Sequence, residues 1–280
     1  MLQDMDIGRL ENEFRNITAS GDDVILCFHD GQVLLCRGMD DTLTLPTLSR
    51  MAVWETPVAP RYLFRMQGQN YFLWTDAVPM SPDGGFGYEP VRQLRQLKSK
   101  DICFAVMTGW HLYNWYRCNR LCGCCGVPTE HDSKERMLRC PNCGNTIFPR
   151  ISPAVIVAVT DGDRLLLSKY AGRAYTRYAL LAGYTEIGET IEQTVQREVM
   201  EEVGLRVKNL RYYKSQPWGV DGNVLMGFFC DLDGSDAIHI DENELSMAAW
   251  YSRHALPAHD DGISLTREMI RVFEEGKEPK

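Results

Sequence analysis

The 280-residue chain has no apolar run approaching the ~18 residues of a membrane-spanning helix; Ala154 to Val159 is among its longest. It also lacks an excess of basic charge. Lys and Arg number 30 against 38 Asp and Glu, a formal net charge of −8. Such a chain gains little from counterion release on nucleic acid, so generic coating of DNA is not expected. No segment repeats and none is of low complexity. A composition of 44% apolar and 24% charged residues, with 23 Gly and 13 Pro, excludes disorder, collagen and coiled coil. The first residues, Met1-Leu2-Gln3-Asp4-Met5-Asp6, carry no basic stretch followed by an apolar one. No secretory signal is therefore expected, and the expected location is cytoplasmic. In that setting ten cysteines point to metal binding or burial rather than a disulfide framework. The length suits two or three domains of ~100–200 residues.

The cysteines divide the chain, because Cys118, Cys122, Cys124, Cys125, Cys140 and Cys143 fall in one short stretch. Before it, Val24–Phe28, the turn His29-Asp30-Gly31 and Val33–Leu35 predict a hairpin. Tyr62–Phe64 and Tyr71–Trp74 predict another, turning at Gln67-Gly68. Residues 81–85 read as a loop. Ile102, Ala105, Leu112 and Trp115 predict a helix over 101–117, interrupted at Gly109. After the cysteines come a strand–turn–strand around Asp161-Gly162-Asp163, a helix at 190–203, strands near 208–214 and 224–232, and a last helix over 264–275.

Cys122-Gly-Cys-Cys125-Gly126 and Cys140-Pro-Asn-Cys143-Gly144 are two Cys-x-x-Cys-Gly units fourteen residues apart. Each spacing places two thiolates on one tight turn, and the trailing Gly supplies a positive φ. Two facing turns complete a closed tetrahedral site of the kind that holds structural zinc. Cys118-x₃-Cys122 is also feasible; the pattern favours Cys122, Cys125, Cys140 and Cys143. Cys27, Cys36, Cys103 and Cys230 read as core residues. Between the knuckles Glu130, Asp132 and Glu135 balance Lys134, Arg136 and Arg139, which is no basic patch.

The densest signal is Gly183-Tyr-Thr-Glu-Ile-Gly-Glu189, seven residues, then Arg197-Glu198-Val199-Met200-Glu201-Glu202-Val203-Gly204-Leu205. Thr190 with Gln193 forms a capping box, and Gly204 suits a helix stop. Glu198, Glu201 and Glu202 crowd one helix face at i, i+3 and i+4, while Ile191, Val195 and Val199 run along another. Crowded carboxylates repel, and hard oxygen ligands are what Mg2+ or Mn2+ requires. Arg197 is placed to pair with Glu189. A solvated acidic face would explain a bare Glu-x-x-Glu-Glu, but not the full spacing.

Gly183 to Leu205 resembles the Nudix box at every fixed position: Gly-x₅-Glu-x₇-Arg-Glu-U-x-Glu-Glu-x-Gly-U, with U aliphatic. The resemblance implies an α/β/α sandwich that hydrolyses a nucleoside diphosphate linked to another group. It assigns Gly183, Glu189, Arg197 and Gly204 to shaping the box, and Glu198, Glu201 and Glu202 to two or three Mg2+ or Mn2+ ions. Such ions neutralise phosphate oxygens and activate a water, whose proton Glu201 or Glu202 can take. With the ribbon, Ser215-Gln216-Pro217-Trp218 is similar to the NADH pyrophosphatase branch. By that resemblance Arg92, Glu135, Gln216, Pro217, Trp218, Asn223 and Thr266 contact substrate. Glu244 and the Ala182 carbonyl add metal ligands, and Phe148 with Tyr184 clamps the nicotinamide end. Two departures stand out. The branch continues its Trp motif with Pro-Phe-Pro-x-Ser, where this chain has Gly219-Val-Asp-Gly-Asn223. Phe148 and Tyr184 exchange the usual ring types.

The expected architecture is α/β, with a small β-rich N-terminal domain (1–100), a helix plus Cys₄ zinc ribbon (101–148) and a Nudix sandwich (149–280). The expected activity is cleavage of NADH or NAD+ to AMP and NMN(H), extending to an NAD cap at an RNA 5′ end. One structural Zn2+ per subunit and a homodimer follow from the resemblance, and no membrane partner. Two rivals are an ADP-ribose or dinucleoside polyphosphate hydrolase and a non-catalytic NAD-responsive or nucleic-acid-binding regulator.

Overall fold

The computed structural model describes all residues except 5–9, 39–41, 53, 55–58, 76–77, 79–84, 97–98, 173–176 and 258–261. Most of the loop expected at 81–85 thus lies outside the described residues. The chain forms two compact units: Asp4–Arg150 with Gly219–Gly222, and Met1–Gln3 with Ile151–Trp218 and Asn223–Lys280.

In the first unit both expected hairpins form. β1 (Val24–His29) turns into β2 (Gln32–Arg37) through Asp30 and Gly31, both with positive φ, 45° and 78°. Primed turns of this kind match the right-handed twist of the flanking strands. β3 (Leu43–Thr44) and the short α1 (Leu48–Met51) follow. β4 (Arg61–Met66) and β5 (Gln69–Trp74) turn through Gln67 and Gly68, with φ of 53° and 78°. β1 and β5 pair in parallel, and β6 (Phe86–Pro90) joins β2, giving the sheet order β3-β2-β1-β5-β4 with β6 beside β2. Ile25, Cys27, Leu34, Met51, Phe72 and Trp74 fill its core. α2 (Lys100–Cys118) runs unbroken through Gly109, contrary to the expected interruption. A Cβ at Gly109 would stand 2.2 Å from Leu26 Cδ1, so the missing side chain lets the helix lie against β1. β7 (Glu130–His131), β8 (Leu138–Arg139) and β9 (Thr146–Ile147) form a small antiparallel sheet around the cysteine knuckles.

The second unit is a sandwich. β10 (Ser152–Asp161) and β11 (Arg164–Tyr170) form the expected hairpin, and β12 (Leu181–Tyr184) pairs with β10. α3 (Ile191–Val203), β13 (Val207–Trp218), β14 (Asn223–Leu232), β15 (Leu245–Ser252) and α4 (Leu265–Glu274) complete it. The strand order is β13-β14-β10-β11-β15. β10 is buried on both faces, which is why it reads as a continuous apolar run. Val155, Val157 and Val159 pack with Val195, Val199 and Val203 of α3. Ile156 and Ala158 face the other way, onto Leu265, Met269 and Phe273 of α4. Each of these Val, Ile, Leu, Met and Phe side chains contributes about 1.5–3 kcal/mol on burial. The α/β/α arrangement matches the expectation. Among the described residues no helix is long and apolar enough to cross a membrane.

Candidate active site and cysteine cluster

α3 starts where its sequence directs. The Gln193 N–H donates to Thr190 Oγ1 (3.2 Å) and the Thr190 N–H to Gln193 Oε1 (2.8 Å), closing the capping box. It ends at Gly204, whose φ of 70° is the left-handed value a helix stop requires. This fixes the phase of the helix, and with it the direction of the carboxylates.

Arg197 organises the surroundings. Its Nε and Nη2 donate to both oxygens of Glu189 (2.6 and 2.9 Å), and Nη1 donates to Glu198 Oε1 (2.8 Å) and Glu201 Oε2 (2.9 Å). Nη2 also reaches the Tyr184 carbonyl at 2.8 Å. The guanidinium holds the Glu189 carboxyl down at about 2, helped by the Glu186 N–H and the Thr194 hydroxyl. Glu198 behaves oppositely. Burial raises its pKa against the pull of Arg197, and the charges of Glu201 and Glu244 add to the rise. Glu202 is 2% exposed.

Gly183 has a steric reason to be glycine. It sits on β12 opposite Val155, and a Cβ there would come within 1.8 Å of Glu198 Cδ. Ala182 precedes it on the same strand. Glu244 reaches the neighbourhood because its segment is tied to the end of α3. The His239 N–H donates to the Val203 carbonyl (2.9 Å), the Asp241 N–H to the Glu202 carbonyl (3.0 Å) and the Glu244 N–H to the Asp241 carbonyl (3.1 Å). The structure therefore brings Ala182, Gly183, Glu198, Glu201, Glu202 and Glu244 to one end of the sandwich. Buried carboxylates beside one another are costly without a cation, so this donor set fits hard divalent ions.

The Trp218 end of the hairpin lies in the same unit. Trp218, beyond the strand expected near 208–214, is the last residue of β13 and pairs with Asn223 across the turn. Tyr184, half exposed, donates its hydroxyl to Asn223 Oδ1 at 3.1 Å. Pro217 is exposed beside them, and Thr266 lies half-buried in the first turn of α4. Gln216 is fully buried: its amide nitrogen donates to Gln3 Oε1 (3.0 Å) and the Ile263 carbonyl (2.9 Å), and its oxygen accepts from the Leu265 N–H (2.7 Å). Its side chain faces the interior and holds the start of α4.

Arg92, Glu135 and Phe148 belong to the other unit. Arg92 is paired with Asp221 at 2.6 Å. Glu135 lies exposed on the turn between β7 and β8, and Phe148 is exposed just after β9. Thr194 and Asp221 were not anticipated. Thr194 is four residues from its own cap residue and its hydroxyl donates to Glu189 Oε2 (3.0 Å), a spacing that could have found it. The Asp221 pairing spans 129 residues and leaves no local signal.

The four knuckle cysteines come together as expected, with one sulfur from each lying within 4.8 Å of all the others. Sγ separations are 3.6 Å for Cys122–Cys143, 3.4 Å for Cys125–Cys140 and 3.6 Å for Cys125–Cys143. Gly126 and Gly144 both adopt φ of 74°, and their N–H groups close the turns onto the Cys122 and Cys140 carbonyls. This geometry can hold a tetrahedral metal. Cys118 and Cys124 are exposed and stand outside the group. Among the described residues no other set of His, Cys, Asp or Glu gathers so closely, the box glutamates included.

A family profile for the NUDIX domain matches residues 150–273. Relatives match over more of the chain. A protein of Stutzerimonas stutzeri named NAD-capped RNA hydrolase NudC is 33% identical over 87% of this chain and 84% of its own length. One of the same name from Chromobacterium violaceum is 36% identical over 75% of this chain and 79% of that protein. A crystal structure of a NUDIX hydrolase from Nitrosomonas europaea aligns at 21% identity over 56% of this chain and 91% of that one, with a TM-score of 0.48. With the box geometry in place, the chain belongs to the Nudix hydrolase family.

Proposed function

We propose that this chain is a cytoplasmic Nudix hydrolase that cuts the pyrophosphate of NADH or NAD+ into NMN(H) and AMP, and takes the same cap from RNA 5′ ends. The reading is carried by one conjunction: a complete box with partly buried carboxylates, in a chain matching proteins named NAD-capped RNA hydrolase over three quarters or more of its length. Glu198, Glu201, Glu202, Glu244 and the Ala182 carbonyl would hold Mg2+ or Mn2+, two or three ions supplying charge neutralisation and an activated water. Arg197 keeps Glu198 and Glu201 aimed, and Glu201 or Glu202 accepts the proton of the attacking water. Tyr184 and Trp218 offer flat ring faces beside Asn223, suited to stacking. Pro217 adjoins Trp218 in the chain, and Thr266 is assigned to substrate by resemblance. Arg92, Glu135 and Phe148 are assigned to substrate by resemblance alone. Zn2+, one per subunit, fills the cysteine cluster structurally, and the working form is a homodimer.

Mass spectrometry of NADH incubated with the protein and Mn2+ tests the reading. AMP and reduced NMN are the expected products, and NAD-capped RNA should yield a 5′-monophosphate end. Cleavage of ADP-ribose with NADH left intact would move the chain to that substrate class. Glu202→Gln should lower turnover by about 10²–10⁴-fold while the fold persists, the usual contribution of a positioned proton acceptor.

A further inference from the structure

The unit carrying the cysteine cluster holds a cavity of about 870 Å³, within the roughly 300–1,000 Å³ typical of small-molecule sites. Arg61, Tyr113, Tyr116, Arg117, Arg120 and His131 line it, among others. Tyr113, Tyr116 and Arg117 share a helix face at i, i+3 and i+4, so α2 presents two rings and a cation together. Arg61 arrives from β4, its guanidinium carbon 5.1 Å from the Tyr116 ring centroid, and the Tyr116 and His131 centroids are 5.2 Å apart.

The charges are what stand out. The chain carries 38 carboxylates against 30 Lys and Arg. Yet among the described residues none of these three arginines pairs with a carboxylate; Arg117 has only a long contact to Asn114, 3.5 Å. Burial pulls the Arg61 guanidinium below its ordinary value, with only Tyr116 opposing. A desolvated cation over an aromatic ring, with two more cations nearby, calls for an anion bearing a flat group. Inorganic phosphate would use the arginines but not the rings.

We propose that this cavity is a nucleotide-binding site distinct from the carboxylate helix. It takes one base against the Arg61–Tyr116 stack and Tyr113, and its phosphate between Arg117, Arg120 and Arg61. Base stacking on rings and guanidinium planes and phosphate contacts to arginine are the standard elements of such recognition. A free nucleoside monophosphate and one unit of a single-stranded RNA present the same chemistry. The site is independent of the hydrolase reading, since every residue in it belongs to the other unit.

Photocrosslinking of the full chain tests it, using 8-azido-AMP and, separately, a 5′-phosphorylated oligoadenylate carrying one 8-azidoadenosine. Adducts are expected on peptides containing Arg61 or residues 113–131, competed by the unlabelled probe. Labelling by AMP assigns a free-nucleotide site, and labelling by the oligonucleotide alone assigns an RNA strand; either supports the proposal. Arg117→Gln, an exposed change whose fold circular dichroism can verify, should raise the half-saturating concentration about tenfold, the worth of one charge-assisted contact. Adducts confined to peptides of 182–244, or labelling at 113–131 that Arg117→Gln leaves unchanged, would overturn it. Turnover is not read, so the outcome does not depend on whether NADH is the substrate.

Discussion

Arg197 makes five hydrogen bonds, to Glu189, Glu198, Glu201 and the Tyr184 carbonyl, and no other residue type could make them all. A planar fork of donors grips both Glu189 oxygens and still points Nη1 at two further carboxylates; an ammonium cannot. Arg197→Lys should therefore leave α3 folded but loosen its carboxylates, lowering kcat by on the order of 10²-fold, the cost of an ångström-scale misplacement. A Lys variant with undiminished kcat would refute this positioning role. Gly183 makes the complementary case from sterics. With Glu198 Cδ 1.8 Å from the would-be Cβ, Gly183→Ala must displace either strand or carboxylate. The expected result is a comparable fall in kcat with a stability loss of about 1–3 kcal/mol, the range for overpacking, read from parallel urea melts. The carboxylate face was legible because its spacing is local and the α-helix converts spacing into direction. Gln216 was not legible in the same way. Its inward turn is decided by Gln3, Ile263 and Leu265, partners 213, 47 and 49 residues away.

Helix α3 is packed through Val195, Val199 and Val203, but its ends fix the register that aims every carboxylate. Thr190→Ala removes the acceptor for the Gln193 N–H and should cost about 1 kcal/mol. Gly204→Ala should cost at least as much, because φ of 70° disfavours a Cβ that would also stand 3.1 Å from His239 Cβ. Chemical denaturation of the two variants checks both. On the opposite layer, α4 is tethered through Glu268, which accepts from the Tyr213 hydroxyl (2.8 Å), Lys214 Nζ (2.8 Å) and the Met1 amino group (3.2 Å). Burial by itself would raise this carboxyl, but these donors outweigh it and hold it at about 2, below its ordinary 4.5. A carboxyl depressed in the folded state stabilises above its unfolded pKa, and that stabilisation is lost as pH falls from about 4.5 toward 2. Glu268→Gln should accordingly lower the urea midpoint at pH 7 and flatten its decline below pH 4.5; an unchanged slope would exclude Glu268 as the source. Hairpins and capped helices were legible because turn and cap chemistry is local. β12 and β15 escaped notice since pairing with β10 and β11 makes them strands, as does the β14 ladder that extends β13 to Trp218. Gly109 misled for a related reason: its glycine answers to Leu26 across the unit, not to helix propensity.

Across the whole molecule the ten cysteines sort into three groups that the sequence could only partly separate. Cys27, Cys36, Cys103 and Cys230 are buried, as expected of core residues. Burial pushes the Cys230 thiol up to about 12, which makes it a poor thiolate at neutral pH. Cys118 and Cys124 are exposed and stand apart from the cluster, so the four sulfurs that gather are the four the spacing favoured. Cys122, Cys125, Cys140 and Cys143 share one point in space. Thiol accessibility should follow this division in steps. With metal bound, a thiol reagent should titrate two sulfurs, Cys118 and Cys124. A chelator that strips the cluster should add four more, because thiolates released from a metal become free nucleophiles. The last four should react only on unfolding in denaturant. Mass mapping of the modified peptides identifies each group. If the chelator leaves the count at two, the four sulfurs bind no removable ion; if all ten react together, loss of metal unfolds both units rather than opening one cluster. The intermediate step distinguishes a locally structural ion from one on which the entire fold depends.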